Sequence, residues 1–410
     1  MNTIRNAIAG LCLAFAINCA LAAAPSSIPD RGNWVTSWYA APQPAWDCSF
    51  VLPMNVPAVL DHQTVRETVR LSSGGSRIRL VFSNRYGKEA LAVGDVRVGS
   101  AGQAGDPARL TFSGATTTWI APGASAISDP VPLAVPALAR LQVSSYLPAR
   151  TTVQTFHWGG QQTFTLHHGK SDGERFGGRL FLNAVLVDGA PGARTVVALG
   201  DSITDGNGST PDADRRWPDF LAQRLAAYGV AVANAGISGA RLLSDGMGRS
   251  ALARLDRDVL GQPGVSDVIV LLGINDIGWP GSPFAPKERP VTLEALQTGY
   301  RQLAAAVHAR GLRITVGTLA PFEDALAGTP FAGHYSLEKE GLRQQLNDWL
   351  RSAGLFDAVV DFDAVLRDPR QPRRIRPEFD SGDHLHPGDA GYRAMAEAID
   401  ITPLLRSRAK

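Results

Sequence analysis

The chain has 410 residues, more than the ~250–300 that one hydrophobic core usually serves, so two domains are expected. Its composition, with 44% hydrophobic and 19% charged residues, is typical of a globular protein. The formal net charge of +2 gives no electrostatic reason to expect a nucleic-acid partner. A neutral or weakly charged ligand fits this charge better.

Residues 1–24 have the pattern of a cleaved signal peptide. Arg5 supplies positive charge, Ala7 to Ala16 form an apolar run, and Ala20-Leu21-Ala22 offers small residues at cleavage spacing. Asn18 interrupts the apolar stretch, which is shorter than the ~20 residues that a membrane span needs. The sequence therefore predicts a secreted or periplasmic protein with no stable membrane span in its mature form.

Cysteine usage predicts neither a disulfide nor a zinc site. Cys12 and Cys19 would leave with the signal peptide, and Cys48 would remain alone. No neighbouring residue indicates an activated thiol, so we expect Cys48 to be a small buried or half-buried side chain. The sequence contains no CxxC pair and no Cys/His zinc spacing, so we expect no structural metal site.

Residues 32–187 show short alternating runs separated by Gly, Pro and Ser, as antiparallel strands and turns do. The runs are Val65–Leu71, Arg77–Phe82, Val93–Val98, Val131–Val135 and Leu141–Tyr146. The first two flank Ser72-Ser73-Gly74-Gly75, which predicts a hairpin with one solvated face. Pro132 has no backbone N–H to donate, so the run Val131–Val135 can only be an edge strand or a loop. The natural architecture for such runs is a β-sandwich, jelly-roll-like domain.

Two surface features of this region have alternative interpretations. Arginines on one strand face can bind an anionic polysaccharide, but they more often serve solubility and edge protection. These arginines are Arg66, Arg70, Arg77 and Arg79. Clustered aromatic residues can form a sugar platform, although they more often pack in a core or between domains. The cluster consists of Trp34, Trp38, Tyr39 and Trp46.

In residues 195–405 the pattern changes to apolar strands that alternate with amphipathic helices. The strands are predicted at Thr195–Leu199, Val230–Asn234, Val268–Gly273, Arg313–Thr318 and Ala358–Phe362. One helix is expected to begin after the cap Thr292 and to end at Gly311. Buried strands joined by helices predict a parallel sheet covered on both faces, which is a doubly wound α/β domain.

Polar residues follow three of these strands, at the edge where open α/β sheets bind ligands. The loops are Gly200–Gly206, Asn234–Gly239 and Gly273–Asp276. Before the last helix, Asp383 stands three residues from His386, close enough to orient the imidazole. A serine needs a base to become nucleophilic, and the base needs a third group to hold its tautomer. Ser202, His386 and Asp383 can supply these roles.

The same segments carry a family resemblance. Gly200-Asp201-Ser202, Gly239, Gly273–Asp276 and Asp383–His386 resemble the four blocks of the SGNH (GDSL) hydrolases. The resemblance implies a flavodoxin-like three-layer α/β/α domain and a carboxylic ester hydrolase without a cofactor. It implies Ser202 as nucleophile and first oxyanion donor, with Gly239 and Asn275 as the other donors. It also implies His386 as base and Asp383 as its partner.

Each part of this site has a competing interpretation. His384 is a second candidate for the base, and with His386 it has the side chains of a zinc pair. Asn275 and Asp276 are also suited to capping a helix. Side chains near the rim could line a substrate pocket, and the candidates are Trp279, Pro321, Phe322, Glu323, Asp324 and His384. Histidines away from the motifs are expected to be structural or surface residues: His62, His157, His167, His168, His308 and His334.

The expected partner is an ester substrate. For an exported enzyme, the first hypothesis is an acetyl or other short acyl ester, on a polysaccharide or oligosaccharide. The layout, in which an exported β-rich domain precedes the catalytic domain, is similar to that of bacterial family members that are carbohydrate esterases or acylhydrolases. The same residues would suit a lysophospholipase, an arylesterase or an acyltransferase. A further alternative is a glycan-binding protein whose hydrolase domain is vestigial.

Overall fold

The computed structural model describes residues 32–102, 106–169 and 173–406. The predicted signal peptide lies outside these residues. Within the described ranges, no helix has the length and apolar content needed to cross a membrane. From Asn33 onward the chain forms one compact unit that contains two hydrophobic cores.

Antiparallel sheets make up the first part of this unit. The strands are β1 Trp34–Tyr39, β2 Gln43–Pro44, β3 Val59–Leu60, β4 Gln63–Arg70, β5 Ile78–Ser83, β6 Leu91–Ser100, β7 Ala108–Arg109, β8 Thr117–Ile120, β9 Ser125–Ile127, β10 Arg140–Leu147, β11 Thr151–Thr152, β12 Thr155–His157, β13 Thr163–His167, β14 Glu174–Gly177, β15 Arg179–Leu180 and β16 Leu182–Asp188. Two larger sheets have the orders β1-β16-β5-β9 and β14-β13-β4-β10-β6-β7, and β8 pairs with β6. Their alternating apolar side chains share one core.

The predicted hairpin between β4 and β5 is wrong. The strand β4 pairs with β10 and β13, whereas β5 pairs with β16 and β9 in the other sheet. The connection between them crosses from sheet to sheet, and Ser72 is buried there, where its hydroxyl donates to the carbonyl of Ser37 at 2.6 Å. A Cβ on Gly74 would lie 2.5 Å from the carbonyl oxygen of Val135, so this crossing needs glycine.

Helices and parallel strands make up the rest. The elements are β17 Arg194–Gly200, α1 Ser202–Asp205, α2 Trp217–Leu225, a 3₁₀ turn Ala226–Tyr228, β18 Val230–Gly236, α3 Ala251–Leu255, a π turn Asp256–Leu260, β19 Val265–Leu271, α4 Ile274–Gly278, α5 Leu293–Ala309, β20 Arg313–Gly317, a 3₁₀ turn Ala332–His334, α6 Leu337–Ser352, β21 Ala358–Val360, α7 Phe362–Leu366, α8 Asp389–Ala398 and α9 Thr402–Leu405. The five strands pair in parallel in the order β18-β17-β19-β20-β21. This is the flavodoxin-like order, and it confirms the predicted fold class.

Hydrogen bonds join the antiparallel sheets to the α/β part. Thr36 donates its backbone N–H to Thr195 Oγ1 at 3.0 Å, and Val232 donates its backbone N–H to Ser72 Oγ at 2.9 Å. The buried Tyr39 hydroxyl donates to Asp258 Oδ1 at 2.7 Å. These contacts join β1 and the segment after β4 to the amino-terminal half of the parallel sheet and to the π turn before β19.

Cys48 is exposed, which corrects the expectation of a buried or half-buried side chain. It lies in a surface turn in which Asp47 accepts the backbone N–H groups of Ser49 and Phe50, at 2.8 and 3.1 Å. A turn closed by its own polar groups leaves the intervening side chain outside, whatever its hydrophobicity.

Candidate active site

Ser202 lies at the junction of β17 and α1, at the carboxyl edge of the parallel sheet. Asp201 caps this short helix by accepting the N–H of Ile203 at 3.0 Å, and Gly206 ends it with φ of 110°. The tight strand–helix junction fixes the serine at the sheet edge. Only 6% of Ser202 is exposed, so its hydroxyl faces a confined space.

Two hydrogen bonds link Ser202 to His386 and Asp383. The Ser202 hydroxyl donates to His386 Nε2 at 2.8 Å, and His386 Nδ1 donates to Asp383 Oδ2 at 2.6 Å. The other oxygen of Asp383 accepts the backbone N–H groups of Leu385 and His386 at 2.9 and 2.8 Å. Burial opposes ionisation of Asp383, but its hydrogen bonds with His386 hold the pKa of this carboxyl well below its usual range. The carboxylate can therefore fix the imidazole tautomer.

Gly239 and Asn275 line the same pocket as Ser202. Gly239 has φ of 70°, and a Cβ there would lie 2.4 Å from Met247 Sδ and 2.9 Å from the Trp279 ring, so a side chain does not fit. Asn275 is 3% exposed and donates one amide N–H to the carbonyl of Ala240 at 3.1 Å. Gly273 is the N-cap of α4, so the helix-cap interpretation of Asn275 is wrong.

Two carboxyl groups lie buried behind the serine. Burial and the neighbouring Asp276 raise the pKa of Asp201 to about 7, and its Oδ2 has no hydrogen-bond partner among the described residues. Burial also raises the pKa of Asp276 to about 6, although the N–H groups of Leu242 and Leu243 oppose this shift. Asp276 accepts those two N–H groups at 2.7 and 3.0 Å, and this anchors the loop after β18.

The pocket beside Ser202 has a volume of about 190 Å³. Its walls are mainly apolar and aromatic: Leu52, Trp158, Met247, Trp279, Phe284, Leu326, Phe331 and Leu385. The rings of Trp279, Phe284 and Phe331 stack in sequence with centroids 4.6 Å apart at each step. A pocket of this kind is suited to an uncharged, partly apolar substrate.

Leu52 and Trp158 come from the β-rich part, which sequence patterns did not connect with the site. Behind them, His157 Nε2 lies 2.9 Å from Asp205 Oδ1, and Asp205 Oδ2 accepts the Ser238 hydroxyl at 2.8 Å. His157 is therefore a buried contact between the two parts. No local sequence pattern predicts this contact, because His157 at the end of β12 and Asp205 in α1 are far apart in the sequence and meet only in the folded chain.

Trp279 lies in the pocket as predicted, but the other candidates for substrate contact do not line it. Phe322 is fully buried behind the wall, and its ring packs edge-on against Tyr335 at 5.1 Å. Glu323 forms ion pairs with Arg373 and Arg374 at 2.9 and 3.0 Å.

His384 also lies outside the pocket. It is exposed and is paired with Asp380 at 2.5 Å, while His386 is paired with Asp383. The two histidines therefore face different carboxylates, and only His386 reaches Ser202.

Fold and pocket place the molecule among α/β proteins that bind a small ligand at the carboxyl edge of a parallel sheet. Residues 198–394 match the model of the GDSL-like lipase/acylhydrolase family, and this domain belongs to that family. The protein is a carboxylic ester hydrolase. No curated protein matches the sequence.

Several solved structures are similar to about half of the chain. A carbohydrate acetylesterase family member from Sinorhizobium meliloti is 20% identical over 52% of this chain and 97% of that chain, with a TM-score of 0.40. A GDSL-like lipase from Bacteroides thetaiotaomicron is 17% identical over 52% and 87%, with a TM-score of 0.38. A mutant acetyl-xylooligosaccharide esterase from Geobacillus Stearmophilus is 24% identical over 50% and 91%, with a TM-score of 0.35.

Proposed function

We propose that the protein is a secreted or periplasmic serine esterase that hydrolyses short-acyl esters, with acetyl esters of carbohydrates as its first candidate substrates. The observation that carries the proposal is the hydrogen-bonded series Ser202, His386 and Asp383, with links of 2.8 and 2.6 Å, beside an apolar pocket. The signal-peptide pattern of residues 1–24 supports the location.

In the proposed mechanism, His386 removes the proton of Ser202 as the serine oxygen attacks the ester carbonyl. Asp383 holds the imidazole in the required tautomer and stabilises the imidazolium that forms. Collapse of the tetrahedral intermediate breaks the bond to the alcohol, whose oxygen takes the proton from His386. Water, deprotonated by His386, then attacks the acyl carbonyl carbon. The bond between this carbon and Ser202 Oγ breaks, Oγ takes the proton back from His386, and the carboxylic acid leaves.

Negative charge that develops on the carbonyl oxygen needs donors already in position. The backbone N–H groups of Ser202 and Gly239 and the side-chain amide of Asn275 are the proposed donors. The bond from Asn275 to Ala240 at 3.1 Å uses one amide hydrogen and leaves the second for the substrate.

Pocket size supports a short acyl group. The volume of about 190 Å³ is below the ~300–1,000 Å³ of pockets that bury a drug-sized ligand. We therefore expect the space beside Ser202 to suit a short acyl group better than a long acyl chain. The aromatic walls are also suited to stacking against the apolar face of a sugar ring.

Hydrolysis of p-nitrophenyl esters from acetate to dodecanoate, beside acetylated xylan and a lysophospholipid, tests this proposal. We expect a preference for the shortest acyl chains, and we expect Ser202→Ala to lower kcat by ~10⁴ or more because no acyl-enzyme can form. A serine-directed phosphonate should label the natural protein and leave the variant unlabelled. Wild-type-like turnover by Ser202→Ala would exclude this serine from the mechanism, and a preference for lysophospholipid would overturn the substrate assignment.

A further inference from the structure

His334 is one of the polar residues that line the pocket. It lies there together with Ser202 and His386, and only 1% of the residue is exposed. Neither ring nitrogen has a hydrogen-bond partner among the described residues. Buried polar groups in proteins are nearly always paired, so an unpaired imidazole that borders a ligand pocket needs an explanation.

The surrounding structure holds this ring in place. A Cβ on Gly278 would lie 2.3 Å from His334 Nε2, so the glycine at the end of α4 makes room for the imidazole. Lys339 Nζ donates to the carbonyls of Gly278 and Gly333, both at 2.7 Å, and ties the 3₁₀ turn of His334 to α4. Phe322 packs edge-on against the ring at 6.2 Å. The position of His334 is thus determined by several independent contacts.

The charge state of His334 limits what it can bind. Burial lowers the pKa of His334 to about 3, so the ring is neutral at any pH at which a serine esterase works. A neutral imidazole has one N–H donor and one acceptor nitrogen. It complements an uncharged hydroxyl group, which both donates and accepts, and it offers no compensation for a buried carboxylate or phosphate.

We infer that His334 binds a hydroxyl group of the substrate, so that the preferred esters carry a hydroxyl close to the reacting carbonyl. The inference rests on the proposed esterase function and deepens it. A hydroxylated substrate would give His334 the hydrogen bond that the protein does not provide. An apolar analogue of the same shape would leave the imidazole unpaired in the complex, and sites of this kind discriminate strongly against such analogues.

The test compares matched esters in the full chain. The pair 2-hydroxyethyl acetate and propyl acetate places the hydroxyl or methyl group on the alcohol, and the p-nitrophenyl esters of 3-hydroxybutyrate and 3-methylbutyrate place it on the acyl group. We expect His334→Phe to lower kcat/KM for the hydroxylated member of one pair by ~10–100-fold and to change its isostere by less than ~3-fold. The pair that responds identifies which side of the ester His334 contacts.

Two further variants separate binding from a structural role. His334→Asn keeps a donor and an acceptor and should retain part of the preference for the hydroxyl. Phe331→Leu changes an apolar wall residue of the same pocket and should affect both members of each pair alike. Thermal unfolding should show that His334→Phe is as stable as the natural protein or more so, because an apolar ring replaces an unpaired polar one.

Each failure has its own signature. If the natural protein hydrolyses these esters but shows no preference for the hydroxyl in either pair, or if His334→Phe changes both members equally, the inference about His334 is wrong. If neither pair nor p-nitrophenyl acetate is hydrolysed, the proposed function itself fails.

Discussion

Asn275→Ala tests the assignment of an oxyanion donor. Asn275 follows the N-cap of α4 by two residues, is 3% exposed, and is oriented by its hydrogen bond to the Ala240 carbonyl. Its second amide hydrogen is expected to interact with the reacting carbonyl oxygen mainly as charge develops there. The substitution should therefore lower kcat and kcat/KM together by ~10²–10³-fold, or ~2.7–4 kcal/mol, with little change in KM.

Asn275→Asp makes the test sharper. A carboxylate at this position would face the Ala240 carbonyl that the amide now bonds, and it would repel the oxyanion. It would also join two buried carboxyl groups, Asp201 and Asp276, whose pKa values are already raised to about 7 and about 6. We expect the Asp variant to lose at least as much kcat as the Ala variant.

The measurement is steady-state kinetics of the natural protein and the variants on p-nitrophenyl acetate, with the free energy of unfolding determined in parallel. Asn347→Ala is a matched control because Asn347 is equally buried and bonds the backbone of Leu319 at 2.8 and 2.9 Å outside the pocket. It should cost ~1–3 kcal/mol of stability and leave kcat near normal. Near-normal kcat for Asn275→Asp, or a loss confined to KM, would refute the oxyanion assignment.

Two other predictions concern the groups around the serine. His386→Ala should lower kcat about as much as loss of Ser202 does. His384 is exposed and paired with Asp380, so His384→Ala should lower kcat by less than ~10-fold. EDTA should leave activity unchanged, and the opposite order of the two losses would make His384 the base. Burial raises the pKa of Asp201 from 3.8 to about 7. Between these pH values the folded protein holds a proton that the unfolded chain has lost, so the free energy of unfolding falls as pH rises. Asp201→Asn should remove up to ~1.4 kcal/mol of this fall per pH unit, as measured by urea unfolding between pH ~4.5 and ~7.5. If the natural protein and the variant lose stability equally with pH, the assignment is contradicted.

Local sequence patterns were sufficient for the α/β fold and for the candidate triad. Short β-branched strands separated by amphipathic helices specify a parallel sheet, because each strand must be covered on both faces. All five predicted strands are present within a few residues, and α5 begins at Leu293 after the cap Thr292. Residues that follow such strands share one edge, so Ser202 and Asn275 could be placed together from their positions alone.

Tertiary structure decided which strands pair in the β-rich part. Alternation shows that a strand has one buried face, but it does not identify the neighbour, because pairing depends on contacts between residues far apart in sequence. The strands β4 and β5 illustrate this limit, since they are adjacent in the chain and lie in different sheets.

The shape of the pocket was likewise decided by the three-dimensional packing. Trp158 and Leu52 reach it from the β-rich part, and His334 enters through the space that Gly278 leaves. None of these residues belongs to a motif, because a residue that lines a pocket is selected for the volume of its side chain at that position and not for a particular reacting group. The sequence alone therefore predicted the candidate reacting groups, whose proposed chemistry requires particular residue types, while only the fold showed which side chains surround them.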